Sequence, residues 1–399
     1  MQMHILLLIL ILITGVWAII LLVDRYFDLE SHGLDVGPGI LLWRTKYGLN
    51  ALDRISGAWS GGWRFFGIFG MGVGVIFMIA VFVFLILNTI LLFTIGAPPG
   101  MGGAGVKLAV PGMTIPLLLG VIGFASVLLV HEPAHGIMAR RVGLPVKSTG
   151  LLLFAVIPGA FVEPDEERLK KASISDRLQV YGAGSFANIL FGLLCFGIIL
   201  ALITPLSGLY ISGVGENTPA ENVGLQPRMH IMGIGYEEDN LITIDNYQVF
   251  ADFMDNTRPE ENILLYTEKT RYNITLENKD NQGYIGIWLT ASTSRSSLIH
   301  PLSIYGVAVF EILGRPIINQ YAYDAAVPWL LIEVLKWMFT LNILVGLFNL
   351  LPLKPLDGGH IAEGLTEKVV SKRTANVIAN ALSVATLAIL LMNFAPIFV

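Results

Sequence analysis

Residues 131–135 read His-Glu-Pro-Ala-His inside the otherwise apolar run "LLVHEPAHGIMARR", residues 128–141. Two histidines four apart share one face of a helix, so both imidazoles can bind a single metal ion. The glutamate between them, Glu132, can take a proton from the water that such a metal activates, the chemistry of metal-assisted hydrolysis. An ionisable group at the centre of a bilayer costs about 3 kcal/mol or more. One histidine there reads as packing. Two at metal spacing with a glutamate between them read as a site.

Two imidazoles need at least a third ligand. The candidate is Asp357 in "FNLLPLKPLDGGH", where Pro352 and Pro355 stop the preceding helix and Gly358 and Gly359 permit a tight turn aiming the carboxylate inward. Taken alone, an ordinary helix-ending turn at the membrane surface is the simpler reading of that segment, so depth in the membrane must decide. Asn188, in "GAGSFANILFG", is a further polar intrusion. An amide there could orient a scissile carbonyl or stabilise an oxyanion, or simply hydrogen-bond between helices beside small residues.

The elements that must position these groups follow from composition. The 399 residues are 54% apolar and 14% charged, against about a quarter charged in soluble domains. Apolar runs at 1–22, 68–95, 116–141, 180–204, 327–351 and 375–399 are each long enough to span a bilayer, which predicts a polytopic α-helical membrane protein with about six transmembrane helices. Residues 1–22 lack a basic n-region and a cleavage site, and read as a retained helix rather than a signal peptide. The net charge of −5 gives no indication of nucleic-acid binding, and the single cysteine, Cys195, cannot form an internal disulfide.

Lys and Arg concentrate in alternate loops: 24–66, 143–179 and 352–374 are basic, whereas 96–115 holds only Lys107. The basic loops should be cytoplasmic, with both termini outside. His131 lies nine residues before Arg140, roughly 13 Å from the cytoplasmic end of its helix at about 1.5 Å per residue. Asp357 follows a span ending on the same side, and Asn188 lies eleven residues after Arg177, again roughly 16 Å deep. The two sources of metal ligands therefore fall in the same half of the membrane. The apolar stretch 151–162 is too short to span and reads as strands or a re-entrant segment beside the site.

Residues 205–297 are mostly polar and should lie outside. Short alternating runs such as "ENILLYTE" and "RYNITLEN" predict a small, mainly β domain. The stretch "ISGVGENTPAENVGLQPRMHIMGIG" followed by "IDNYQVFADFMDN" resembles a PDZ domain, in which an edge strand beside a helix accepts an extended peptide. The "TPAENVGL" turn keeps that family's pattern well, and the second turn keeps it poorly.

"HEPAHG", "GSFAN" and "NLLPLKPLDGGH", in that order, together with "GAFVEPDEERLKKASISDRLQVYGAG", resemble the site-2 protease family of intramembrane zinc metalloproteases over most of the chain beyond about residue 110. The resemblance implies one Zn²⁺ held by His131, His135 and Asp357, and Glu132 as catalytic base. It also implies that Asn188 helps position substrate and that the region 151–162 aligns an unwound substrate as a strand. The substrates would be transmembrane proteins of the plasma membrane, cut near its cytoplasmic side.

Pro133 departs from this pattern. It lacks an N–H and crowds the carbonyl of Leu129, so the helix should kink or loosen at the metal; that either opens a wet site or displaces His135. The expected organisation is 1–110 for N-terminal helices and a cytoplasmic loop, 111–204 for the first catalytic helices, 205–297 for the PDZ-like domain and 298–399 for the last catalytic helices. A catalytically inactive scaffold acting through the PDZ-like domain is the alternative, and a redox enzyme with Fe(II) at the same ligands a third. Glu311 and Arg315 are expected to pair four apart, Glu333 and Lys336 three apart, and "NIT" at 273–275 fits a weak glycosylation sequon.

Overall fold

Long apolar stretches become helices that a bilayer could hold, and the short apolar stretch near the HExxH run becomes sheet. The computed structural model describes residues 2–94, 111–112, 114–154 and 157–394. In chain order it contains α1 (Gln2–Phe27), β1 (Leu34–Gly37), β2 (Ile40–Thr45), α2 (Leu49–Ala58), α3 (Ser60–Thr94), α4 (Leu117–Arg141), β3 (Val146–Phe154), β4 (Ile157–Pro164), α5 (Glu166–Lys171) and α6 (Ile174–Leu202). There follow β5 (Ile203–Pro205), β6 (Leu209–Val214), α7 (Pro219–Asn222), β7 (His230–Gly235), β8 (Leu241–Thr243), α8 (Tyr247–Asp255), β9 (Asn262–Thr267), β10 (Arg271–Thr275), β11 (Glu277–Lys279), β12 (Gln282–Tyr284) and β13 (Ile287–Ala291). The chain closes with α9 (Arg295–Leu298), α10 (Pro301–Ile312), β14 (Tyr323–Ala325), α11 (Trp329–Asn349), α12 (Asp357–Thr366) and α13 (Lys372–Phe394).

Among the described residues five helices are long and apolar enough to cross a membrane: α3, α4, α6, α11 and α13. The expected span 1–22 falls within α1, where the side chains of residues 1–13 lie outside the described residues. Residue 95 of the second expected span and 395–399 of the last lie outside them too. The chain divides into two compact units, 1–194 with 337–399, and 195–336.

In the first unit, β1, β2, β3 and β4 form an antiparallel sheet in sequence order. The stretch 24–66, expected as a polar connection, thus supplies two strands and α2. It reads as a loop because, apart from the run 40–43, its apolar residues stand singly or in pairs, too short to stand out from a polar background. β4 is an edge strand. The N–H of Val162 points out of the sheet, so alternation points the backbone nitrogens of 158, 160 and 164 the same way. Two of these are prolines, Pro158 and Pro164, tolerated where no ladder bond is needed.

Apolar packing joins α2, α4, β3, α5 and α6 through Leu52, Ile137, Met138, Val146, Leu169 and Val180, with Ala134, Ala139 and Ala183 letting the backbones approach. Gly182 is one place where the approach demands glycine, since a Cβ there would meet the Gly70 carbonyl of α3 at 3.0 Å. α5 is capped by Asp165, whose side chain accepts the Arg168 N–H at 3.1 Å.

The second unit is built on a six-stranded sheet ordered β10-β9-β7-β6-β13, with β8 on β7, around a core of Leu209, Ile211, Ile231, Ile234, Ile263 and Leu265. Thr218 caps α7 with Pro219 at its first position, and Asn246 caps α8. β13 is an edge strand, and α8 packs beside it.

The expected Glu311–Arg315 pair does not form as an i,i+4 helical pair. α10 ends at Ile312 and Gly314 turns the chain at φ +73, so Arg315 is off the helix. Glu311 instead faces Lys336 at 3.1 Å, and Lys336 also reaches Glu333 at 2.9 Å, as expected. Lys336 is only 1% exposed, so the cation that the two carboxylates share is buried within the protein.

Candidate active site

α4 runs from Leu117 to Arg141 with Pro133 inside it, and both histidines stay on one face. His131 Nε2 and His135 Nε2 are 3.1 Å apart. Asp357 Oδ2 lies 3.5 Å from His131 Nε2, and Oδ1 lies 3.5 Å from His135 Nε2. A tetrahedral Zn²⁺ with donors at about 2.0–2.1 Å separates those donors by about 3.3 Å. The three side chains therefore fit one ion, and their donor atoms all lie within 4.8 Å of one another.

The segment bearing Asp357 differs from the expected turn. Asp357 opens α12, and Gly358 and Gly359 are helical. They are needed for close approach: a Cβ on Gly358 would lie 2.1 Å from the Leu350 carbonyl, and one on Gly359 2.5 Å from the Lys354 nitrogen. Only a bare backbone lets α12 start directly under the end of α11 and bring the carboxylate to the histidines.

One helix, α6, holds the far side of each of these three side chains. His135 Nδ1 lies 2.7 Å from the Val180 carbonyl, which fixes the proton on Nδ1 and frees Nε2. The Ser185 hydroxyl donates to Asp357 Oδ2 at 3.0 Å. Asn188 lies 3.1 Å from His131 Nδ1 and is completely buried. Between them Gly184 leaves space, since a Cβ would sit 2.3 Å from His135 Nε2 and 2.8 Å from His131 Nε2. A side chain of any size at 184 would fill the volume a metal needs.

Glu132 points to the strand side, where its Oε2 accepts the Val162 N–H of β4 at 3.1 Å. Glu132, both histidines and Asp357 share the wall of a cavity of about 520 Å³ with Asn349 and His360, and His360 stacks on Tyr181 at 4.8 Å. Asn188, expected to face substrate, faces the back of His131 and does not line this cavity. Asn349 does. It opens the segment "NLLPLKPLDGGH" that carries the family resemblance, although the site expected from that resemblance did not include it. Ser185 and the Val180 carbonyl carry no motif of their own, although 180, 184 and 188 recur every four residues along one helical face.

A model of Peptidase family M50 matches residues 119–393, which include all of these groups. This chain belongs to peptidase family M50, the site-2 protease family. Among its relatives is an uncharacterized protein of Methanocaldococcus jannaschii, 27% identical over 92% of this chain and 87% of the relative. A "Probable membrane metalloprotease, chloroplastic" of Arabidopsis thaliana is 24% identical over 61% of this chain and 70% of its own length. A "Membrane-bound transcription factor site-2 protease homolog" of the same plant is 25% identical over 49% of this chain, covering 37% of the relative. Members of family M50 are membrane metalloproteases, and the five apolar helices make this one a multi-pass membrane protein.

Proposed function

We propose that this protein is an intramembrane zinc metalloendopeptidase that cuts transmembrane segments of membrane proteins. The observation that carries the reading is the convergence of His131, His135 and Asp357 beside Glu132 on one cavity wall. Those three residues would hold Zn²⁺, which supplies Lewis acidity to the reaction.

Glu132 is held at one carboxylate oxygen by the Val162 amide. Its other oxygen takes a proton from the attacking water as the C–O bond forms. It then returns that proton to the departing amide nitrogen as the C–N bond breaks, leaving a carboxylic acid and an amine. The Asn349 amide, on the cavity wall, would donate to the oxyanion that develops on the peptide carbonyl.

The substrate must be extended to expose its carbonyl. The open edge of β4 supports docking as an added strand, with the Ala160 N–H free of a proline and of Glu132. The domain at 205–297 is read as PDZ-like, with β13 as its peptide-binding edge beside α8, and would screen substrates. The loop charges support cytoplasmic release of a fragment.

The test is purified chain in detergent, assayed for bound metal and for cleavage of a generic transmembrane substrate, against Glu132→Gln. One zinc per chain, with cleavage lost in the variant only, is expected. No zinc and no cleavage would leave the scaffold reading, and iron at the site would leave the redox one. His135 keeps its place beside His131 with Pro133 between them, which supports the protease reading.

A further inference from the structure

We infer that Asn188 is a positioning residue for the metal, accepting a hydrogen bond from the outer nitrogen of His131, and that α6 thereby carries an outer partner for each of the three ligands. The inference rests on the metal-centre reading above.

His131 turns Nε2 toward His135 and Asp357 and Nδ1 toward Asn188. A metal at Nε2 takes that nitrogen's lone pair, so Nδ1 must carry the ring proton and donate it. In the structure the amide nitrogen of Asn188 is the atom 3.1 Å from Nδ1. Two N–H groups would then oppose one another. Meanwhile the amide oxygen, Asn188 Oδ1, is buried and has no hydrogen-bond partner among the described residues. A half-turn of the amide removes the opposed N–H groups, placing Oδ1 on the Nδ1 proton and the NH2 group where Oδ1 now lies.

Asn188 then does for His131 what the Val180 carbonyl does for His135 and Ser185 does for Asp357. Such partners fix the tautomer and ring orientation and raise ligand basicity. The Asn188 side chain is fully buried and outside the cavity lining, so it is in no position to touch substrate. The Gly184 carbonyl is the other acceptor near the His131 ring, and the test must separate the two.

The experiment compares full-length wild type, Asn188→Asp and Asn188→Ala in detergent. Zinc affinity is read by competition with a chromophoric chelator, and ligand field by the visible bands of the cobalt(II)-loaded protein. Asn188→Ala should bind zinc about 10- to 100-fold more weakly. Asn188→Asp keeps an acceptor and cannot donate, so it should hold zinc within about threefold of wild type or tighter. It should also shift the cobalt bands, which a purely structural role would not do.

Equal zinc affinity in Asn188→Ala and wild type would overturn the inference and make the Gly184 carbonyl the partner. Loss of zinc in Asn188→Asp would overturn it by showing that the amide N–H is required. Should Asn188→Ala fail to fold, the aspartate variant alone still decides. Absence of zinc from the wild type would instead overturn the metal reading, and this inference with it.

Discussion

Gly184→Ala is the sharpest perturbation of the proposed metal centre, because it adds one methyl group and removes nothing. The new Cβ would lie 2.3 Å from His135 Nε2, 2.7 Å from His131 Cε1 and 2.8 Å from His131 Nε2. Ordinary contact begins at 3.4 Å, so the His135 ring must retreat by about 1.1 Å, whereas metal–ligand distances tolerate about 0.2 Å. The ring cannot simply swing away, because its Nδ1 is tied to the Val180 carbonyl at 2.7 Å.

Losing an outer partner alone costs about 10- to 100-fold in metal affinity, and displacing a ligand should cost at least about 100-fold. Glycine to alanine in a helix interior otherwise favours the helix by about 1 kcal/mol, so folding should survive. Zinc content after dialysis against a weak chelator, with the melting temperature of the apo protein, checks this. Gly197→Ala on the same helix, where a Cβ meets nothing within 4 Å, is the control and should keep its zinc. A Gly184→Ala protein that retains one tightly bound zinc would refute the placement of the ion between the two rings.

Pro133→Ala should retain zinc within a few-fold and raise the melting temperature, since the helix regains a backbone bond to Leu129 without moving either histidine; a tenfold tighter site would show that the proline strains the ligands. Lys336→Met leaves the Glu311 and Glu333 carboxylates without their shared cation and should destabilise the chain by about 3–5 kcal/mol. Adding Glu311→Gln should restore more than about 1 kcal/mol of that in thermal unfolding, and strict additivity would argue against the triad. The Arg168 amide holds the Asp165 carboxyl below the ordinary aspartate range. The cap is therefore intact above that range and lost as pH falls through the lowered value, which acid-dependent hydrogen exchange of the α5 amides should show, and Asp165→Asn should not.

The chemistry was legible in the chain wherever it depended on residue type and local spacing. His131 and His135 are four apart, Glu132 is adjacent, and any helix through them puts both imidazoles on one face. Hydrophobic run length likewise predicted the helices, because bilayer thickness sets a length that composition reveals. Asp357 was reachable through depth in the membrane, a one-dimensional quantity that loop charges supply.

What the sequence left open depends on distance between segments remote along the chain. The β1–β2 pair gained its meaning only beside β3, since a short strand is defined by its partner. Glycines 358 and 359 read as turn formers, whereas the fold uses them to seat a helix start against the Leu350 carbonyl. Glu311 faces a lysine 25 residues away, and α10 ends before the fourth residue after it is reached. Asn188 shows the same division. Its type and depth left it between a substrate-facing amide and a hydrogen bond between helices, and only the packing of α6 against α4 decided that it faces His131 rather than the cavity. Side-chain chemistry and period are properties of the chain, but the face a residue turns to a ligand is set by helix packing, which no local pattern encodes.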